Sequence, residues 1–441
     1  MKLDGFDQLI RQFRKFADEL PDRRRGKNRS YSMADIFLSA FAVFFTQCPS
    51  FLARQKEMQQ QQGQSNAQTL FQIEDIPSDN HIRQMLDPIA PEQLLPVYDA
   101  IYEAFREQGA LDTFRGVHNT TLIALDGTWY FSSENIHCDK CSRIEHKSGG
   151  TTYYHSAITP VIVAPGQNQA LPLRPEFIVP QDGHDKQDCE ITAAKRWLEK
   201  NGAFYRTGNA VILGDDLYAH QPFCRRVALY GYHYIFTCKP DSHVSLYQWL
   251  ALLPANHIRT IAMRVKNKRQ HWENHVYRYF NGAPLADGDS PLKVNWCEVT
   301  VANQSGQQVY HNAFITDFEI TDENVSGIIE SGRARWKIEN ENNNTLKTKG
   351  YHLEHNFGHG KQHLSSLLAA MNILAFLFHA FLAFCDQNYK FIRAALPTRK
   401  TFFNDLRALL RYMCFPSWNV IMVFMRRGIE YGPQPMPPLI A

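Results

Sequence analysis

The sequence predicts a mixed α/β fold whose core is interrupted by a β-rich insertion and flanked by helical regions at both ends. Three observations carry this. After residue 118 the texture changes from apolar positions at helical period to strand-like runs. From "CEITAAKRWLEKNGAFYR" through "AVILGDDLY", "PFCRRVALYG" and "HYIFTCKP", helices alternate with strands, which suggests parallel pairings added to an antiparallel meander. Residues 243–320 then alternate at period two. The expected organisation is a helical region over 1–115, a first part of the core over 116–242, the β-rich insertion over 243–320, a second part of the core over 321–385 and a helical tail over 386–441.

The bulk properties bound the function classes. A chain of 441 residues suggests two to four domains, and 44% hydrophobic residues supply real cores. The net charge of +3 means that any nucleic-acid surface must come from local clustering. Nine cysteines are scattered, and only Cys138 and Cys141 form a close pair, so a reducing compartment fits better than a secreted disulfide scaffold. The first twenty residues are charged throughout, so no signal peptide is expected. Leu364–Cys385 has the length and apolarity of a membrane span, but Asn372 and His379 interrupt it and no other segment is comparable. It reads as a buried helix packed on a sheet, and no membrane is expected.

Within 1–115, "SMADIFLSAFAVFFTQ" and "PEQLLPVYDAIYEAFREQGAL" carry helical periodicity, and Ser78 or Asp79 is a plausible N-cap. The glutamine-rich patch between them reads as a solvated helix end or loop. The run from Arg23 to Arg29 reads equally as a solvated basic loop or as a phosphate-contacting arm. Next, "TTLIALDGTWYFS", "TTYYHSAITPVIVAP" and "ALPLRPEFIVPQ" read as three consecutive antiparallel strands. In the insertion, Arg264, Lys266, Lys268, Arg269, Trp272, Tyr277 and Arg278 mark either one exposed sheet face or a surface that tracks nucleic acid. A helix is expected from about Glu323 through "RWKIENENNNTLKTK". It precedes the loop "GYHLEHNFGHGKQH", the apolar helix and a tail that ends in a proline-rich stretch.

Acids at strand ends carry the chemistry. Asp126 follows an apolar strand, and Asp215 and Asp216 follow "AVIL". An acid there is costly unless solvated, paired or bound to a cation. In α/β sheets, the carboxyl ends of strands are where ligands sit. A third acid from a later helix would complete an oxygen-only site suited to Mg²⁺ or Mn²⁺.

With these blocks in this order, the chain resembles the DDE transposases of bacterial insertion sequences, in the group around the IS4 family. "LIALDGTWYF" is similar to the strand of the first aspartate, "VILGDDLYAHQPF" to that of the second, and "ARWKIENENNNTLKTKGYHLEHNFGHG" to the glutamate helix. The resemblance covers roughly residues 78 to 385. It implies a ribonuclease-H-like core with a β insertion before the glutamate helix. It also implies two Mg²⁺ (or Mn²⁺) ions held by Asp126, Asp215 and Glu339, which cut and join phosphodiester bonds. The implied partners are transposon ends and target DNA, with a homodimer bridging two ends, in a bacterial cytoplasm at the nucleoid. Two other readings are a DNA-binding protein on an inactive transposase scaffold and a stand-alone Mg²⁺-dependent nuclease.

The family register selects among neighbouring acids. Asp215 has Leu217 and Tyr218 after it where the family has a small or apolar residue and an aromatic. Asp216 would point to the opposite face and reads as a turn or helix-cap residue. The family signature of Tyr, Arg, Glu and Lys is half present: Arg335 and Glu339 match, whereas Gly332 and Leu346 stand at the Tyr and Lys positions. Lys347, one residue late, and Lys349 are the remaining candidate DNA contacts of this segment, beside Arg335. Glu339 is four residues after Arg335 and three after Trp336, on the face expected to pack toward the sheet. Glu341 lies about 200° further round an α-helix and reads as a solvated or DNA-facing acid.

Finally, "IHCDKCSRIEHKSGGTTYYH" offers Cys138, Cys141, His146 and His155 as a candidate structural zinc set. The alternative is free thiols at a hairpin tip. The second cluster, His352, His355, His359 and His363, reads as a DNA-facing or packing loop.

Overall fold

A computed structural model of the chain describes residues 6–24, 30–180, 189–206 and 209–432. Most of the basic run expected as a loop or arm (25–29), and the proline-rich end, lie outside the described residues. The chain forms two compact units. One comprises Leu111–Thr128 and Ala157–Asn342; the other comprises Met1–Ala110, Trp129–Ser156 and Asn343–Ala441.

In chain order the strands are β1 (Thr121–Ala124), β2 (Gly127–Ser133), β3 (Ser142–Glu145), β4 (Thr151–Ile158), β5 (Val161–Val163), β6 (Leu171–Pro172), β7 (Glu176–Ile178), β8 (Ala210–Gly214), β9 (His233–Thr237), β10 (Arg259–Lys266), β11 (Trp272–Pro284), β12 (Lys293–Ala302) and β13 (Gln308–Thr316). The first unit holds a nine-stranded mixed sheet in the order β10-β11-β12-β13-β9-β8-β1-β5-β6. β1, β8 and β9 run parallel, and β5 is antiparallel to β1. Helix Glu190–Tyr205 precedes β8, and helix Gln221–Leu229 joins β8 to β9. Every residue of β1 and β8 is buried, as parallel strands covered on both faces require.

The insertion does not stand apart from the core sheet. β13 pairs antiparallel with β9, and β12, β11 and β10 follow outward, so the insertion satisfies the edge of β9 and extends the sheet. β10 is the new edge and is exposed along nearly its whole length. On it the Arg264 guanidinium and the Lys266 ammonium lie 4.9 and 5.0 Å from the ring centre of Trp272 on β11.

Two sequence expectations change here. The long strand runs are split. "TTLIALDGTWYFS" breaks at Leu125–Asp126, with β1 in the nine-stranded sheet and β2 in a second sheet of order β2-β4-β3. "TTYYHSAITPVIVAP" breaks between β4 and β5 in the same way. The helix through the glutamates is also interrupted. An α-helix over Val325–Arg333 ends at Ala334, a π-helical stretch covers Ile338–Asn343, and a short α-helix follows over Asn344–Thr348. The first of these is pressed onto the sheet: a Cβ on Gly332 would stand 2.7 Å from the Phe314 ring and 2.9 Å from Ile235.

In the other unit, the long apolar helix Leu364–Cys385 is mostly buried. It packs mainly against helices, among them Met33–Phe45 and Leu95–Glu107, and at its start Ser365 meets Tyr130 of β2 in the second sheet. Phe41, Phe45 and Phe378 interlock there. The glutamine-rich patch is largely helical, in helices Phe51–Gln59 and Gln61–Phe71.

Candidate carboxylate and cysteine–histidine sites

The register of two strands places the two aspartates. Thr121 pairs with Ala210 and Ala124 with Leu213, an offset of 89 residues (210 − 121 = 89). Asp126 and Asp215 have the same offset (215 − 126 = 89). They therefore come level with each other just past the carboxyl ends of adjacent parallel strands, whose axes lie about 4.8 Å apart. The Leu125 N–H donates to the Leu213 carbonyl at 2.9 Å, which carries the pairing to the residue before Asp126.

Strand parity places them on a face. Leu122, Ala124, Val211 and Leu213 point into a core that also contains Ile328, Ile329, Ala334 and Ile338. Asp126 and Asp215 continue that parity. The residue after buried Ile338 is Glu339. Asp216, one residue on, falls on the opposite parity from Asp215. Asp216 turns away to accept from the Lys239 N–H at 2.6 Å and to meet His243 Nε2 at 3.3 Å. Of the two readings of Asp216, turn or cap, the turn holds: Asp216 opens the short 3-10 turn Asp216–Tyr218. Asp215 itself caps the short turn after the strand, accepting from the Leu217 N–H at 2.9 Å.

The carboxylates feel one another. Burial pushes the Asp126 carboxyl up to about 7; the charges of Glu190, Glu339 and Asp215 add to the rise, and Arg335 opposes it. Arg335 Nη2 donates to Glu339 Oε1 at 2.7 Å, so the i, i+4 pair exists despite the π-helical winding. The Arg335 side chain is 18% exposed, and its Nη1 is buried with no hydrogen-bond partner. Contrary to the face expected for them, Trp336 is 47% exposed and the Glu339 side chain 52%; Ile338 is the residue packed on the sheet.

Glu190 is the member that sequence reasoning missed. It opens helix Glu190–Tyr205, a position where an acid is ordinary. In the fold its carboxylate accepts from the buried Tyr218 hydroxyl at 2.6 Å and from the backbone of Gly127. Burial raises its pKa, and the Asp215 charge adds to the rise. Two glycines make room for this arrangement. A Cβ on Gly127 would stand 2.4 Å from Glu190 Oε2, and one on Gly214 would stand 2.8 Å from the Tyr218 ring. The only signals in the sequence were those glycines, each next to one aspartate, and the aromatic three residues after Asp215.

The donor set of Asp126, Asp215, Glu190 and Glu339 is all oxygen, the chemistry that Mg²⁺ and Mn²⁺ select. These carboxylates are not gathered as tightly as a single-ion site. Among the described residues, the group of His, Cys, Asp and Glu ligand atoms that is so gathered is Cys138, Cys141, His155 and His359, all within 4.8 Å of one another. This cluster lies wholly in the other unit. It differs from the sequence expectation at one position. His146 Nε2 lies 2.8 Å from Thr152 Oγ1, on the exposed side of the hairpin, and His359 from the second histidine cluster takes the fourth place. Two thiols and two imidazoles are compatible with Zn²⁺.

Of the remaining candidates, Lys347 Nζ lies 2.9 Å from Glu354 Oε1, and Lys349 is exposed at the end of the short helix.

No known family model matches the chain, and no curated protein does. Among solved structures, the chain is similar to the piggyBac transposase synaptic complex with hairpin DNA, seen by cryo-electron microscopy. Identity is 10%, the alignment covers 98% of this chain and 84% of that one, and the TM-score is 0.41.

Proposed function

We propose that this protein is a DDE transposase of the IS4-like kind, which cuts and joins DNA strands at the ends of a mobile element. The observation that carries the reading is the shared offset of 89 residues, which sets Asp126 level with Asp215 on neighbouring parallel strands. Three parallel strands separated by helices, an antiparallel neighbour, and a β insertion before the glutamate segment support the ribonuclease-H-like part of the reading.

Asp126, Asp215 and Glu339 would hold the divalent ions. Mg²⁺ held there would supply charge neutralisation for an in-line phosphoryl transfer. The protein's own groups prepare that centre. Tyr218 and the Gly127 backbone hold Glu190 against the cluster. Burial, with the neighbouring carboxylates adding to it, raises the Asp126 carboxyl to about 7, so a bound cation would favour its ionised form. Arg335 holds Glu339, and its partly exposed guanidinium would meet a DNA phosphate beside that carboxylate. Lys347, Lys349 and the basic, aromatic edge around Trp272 add sequence-independent phosphate contacts. Two subunits, each binding one DNA end, complete the reading.

The test is Mg²⁺-dependent cleavage of a supercoiled plasmid that carries the element's ends. Asp126→Asn, Asp215→Asn and Glu339→Gln should each abolish cleavage while leaving DNA binding in place. Wild-type cleavage by all three variants would remove the assignment. Joined products distinguish a transposase from a nuclease that only cuts.

A further inference from the structure

We infer that Cys138, Cys141, His155 and His359 form a closed structural zinc site that fastens the hairpin after β2 to the loop before helix Leu364–Cys385. This does not depend on the transposase reading, because none of the four residues belongs to the carboxylate cluster.

Five of the six ligand–ligand distances match a coordination tetrahedron, and the sixth, Cys138 to His359, lies within 4.8 Å. Zinc bonds of about 2.3 Å to sulfur and about 2.05 Å to nitrogen, at tetrahedral angles, imply edges near 3.8 Å for S···S, near 3.6 Å for S···N and near 3.3 Å for N···N. Cys138 Sγ and Cys141 Sγ are 3.9 Å apart. His155 Nε2 lies 3.5 Å from each sulfur, and His359 Nε2 lies 3.3 Å from Cys141 Sγ. The two Nε2 atoms are 3.1 Å apart. A hydrogen-bond network does not account for this convergence. His155 Nε2 has three such neighbours, and a single ring N–H can point at only one. The sulfurs are also far outside the 2.03–2.05 Å of a disulfide.

The surroundings aim all four groups inward. The Cys138–Cys141 turn is closed by the Cys141 N–H on the Cys138 carbonyl at 3.0 Å, and the Cys138 N–H points back at Cys141 Sγ at 3.4 Å. His155 is buried on β4 and stacks on Tyr130, with ring centres 5.5 Å apart. His359 is presented from a different segment, between Gly358 (φ +152°) and Gly360 (φ +67°), where the chain reverses. At Gly360 a Cβ would stand 2.2 Å from Asp87 Oδ1, so glycine is required sterically as well. The Phe131 ring meets the His359 ring edge-on at 4.5 Å. His359 Nδ1 is buried without a hydrogen-bond partner, so what offsets the burial of this ring must act at Nε2, which faces the cluster. With four protein ligands the site has no open position, which marks it as structural rather than catalytic.

The test uses the full-length protein without a histidine tag, purified with no added metal. Elemental analysis should find about one zinc per chain. Metal-stripped protein given Co²⁺ should show the visible bands of tetrahedral cobalt and the near-ultraviolet charge transfer of two thiolates. His359→Ala should weaken zinc, read by competition with a chromophoric chelator, by at least about tenfold. His146→Ala should leave it unchanged. Circular dichroism separates loss of a ligand from loss of fold, and a variant that misfolds is replaced by His155→Gln or Cys138→Ser. The inference is overturned if wild-type protein contains no zinc and takes up neither Zn²⁺ nor Co²⁺. It is equally overturned if Cys138 and Cys141 are found as a disulfide, or if His146→Ala rather than His359→Ala releases the metal.

Discussion

Glu190 Oε2 lies so close to Gly127 that a single methyl group there would approach it to 2.4 Å. Gly127 follows Asp126 directly, so the space that admits Glu190 also fixes the backbone on which Asp126 rides. Gly127→Ala should therefore push Glu190 off its Tyr218 and backbone contacts and destabilise the protein by about 1–3 kcal/mol, the usual cost of overpacking. Gly428→Ala, in a helix with nothing within 4 Å of the added Cβ, is the control and should be neutral or slightly stabilising. Urea unfolding of the two variants checks this. Equal stability of Gly127→Ala and wild type would show that Glu190 can move at no cost.

The burial of Asp126, with other carboxylates beside it, should give stability a pH dependence. Asp126 ionises near 3.8 in the unfolded chain and near 7 in the fold. Between these values the folded state holds the extra proton, so stability falls as pH rises through the window and is level above it. The fall is on the order of a few kcal/mol. Asp126→Asn removes the penalty, so its advantage over wild type should grow from about pH 4 to about pH 8 and then stop growing. Glu190→Gln removes the largest neighbouring charge and should bring the midpoint below about 7. Urea melts of the three proteins across that range measure both effects. Curves that stay parallel for wild type and Asp126→Asn would refute the burial of this carboxylate.

If the protein acts on DNA as proposed, Arg335 offers a case in which stability and DNA affinity should separate. Its ion pair with Glu339 is an i, i+4 contact to a side chain that is half exposed, so the pair contributes only about 0.3–0.5 kcal/mol. Arg335→Ala should therefore barely change the unfolding midpoint. It should weaken binding to duplex DNA about equally for all sequences and lower the salt slope by about one, the signature of a lost phosphate contact. The midpoint of Asp126 should also rise, because Arg335 is the charge that opposes its shift. An unchanged salt slope would confine Arg335 to holding Glu339.

How much of this was legible in the sequence depends on how local each cause is. The spacing of 89 residues between Asp126 and Asp215 was visible, and the register turns it into adjacency. The period-two pattern marked the insertion, but nothing in it told that β13 would dock on β9, since edge pairing is decided by which strand is left open. The break at Asp126 was hidden because the residues on both sides favour strands, while sheet membership changes between them. The break before Glu339 was hidden because "RWKIENENNN" has almost no apolar phase to reveal winding; Trp336 looks like a core residue and is exposed. Glu190 and His359 went unseen for one reason. Their partners are tens to hundreds of residues away: 28 from Glu190 to Tyr218 and 204 from His155 to His359. Ligand spacing within a short window favoured His146 instead.

Asp87 holds the loop that presents His359, and its effect should fade in acid. Its carboxylate accepts the backbone N–H groups of Lys361, Gln362, His363 and Leu364, at 2.9 to 3.3 Å, just where helix Leu364–Cys385 begins. Burial alone would raise its pKa, but those four donors outweigh burial and hold it below the ordinary value of 3.8. A depressed carboxylate stabilises the fold above its unfolded pKa and loses that contribution as pH falls through the folded one. Asp87→Ala should cost about 1–2 kcal/mol at neutral pH, as loss of a helix-capping acid does. The deficit should shrink toward zero in acid, below the usual carboxylate range. Unfolding is best followed with a chelator present in both proteins, so that release of metal at low pH does not enter the difference. A deficit that is the same at neutral and acid pH would mean that Asp87 acts through packing, not through its charge on the helix start.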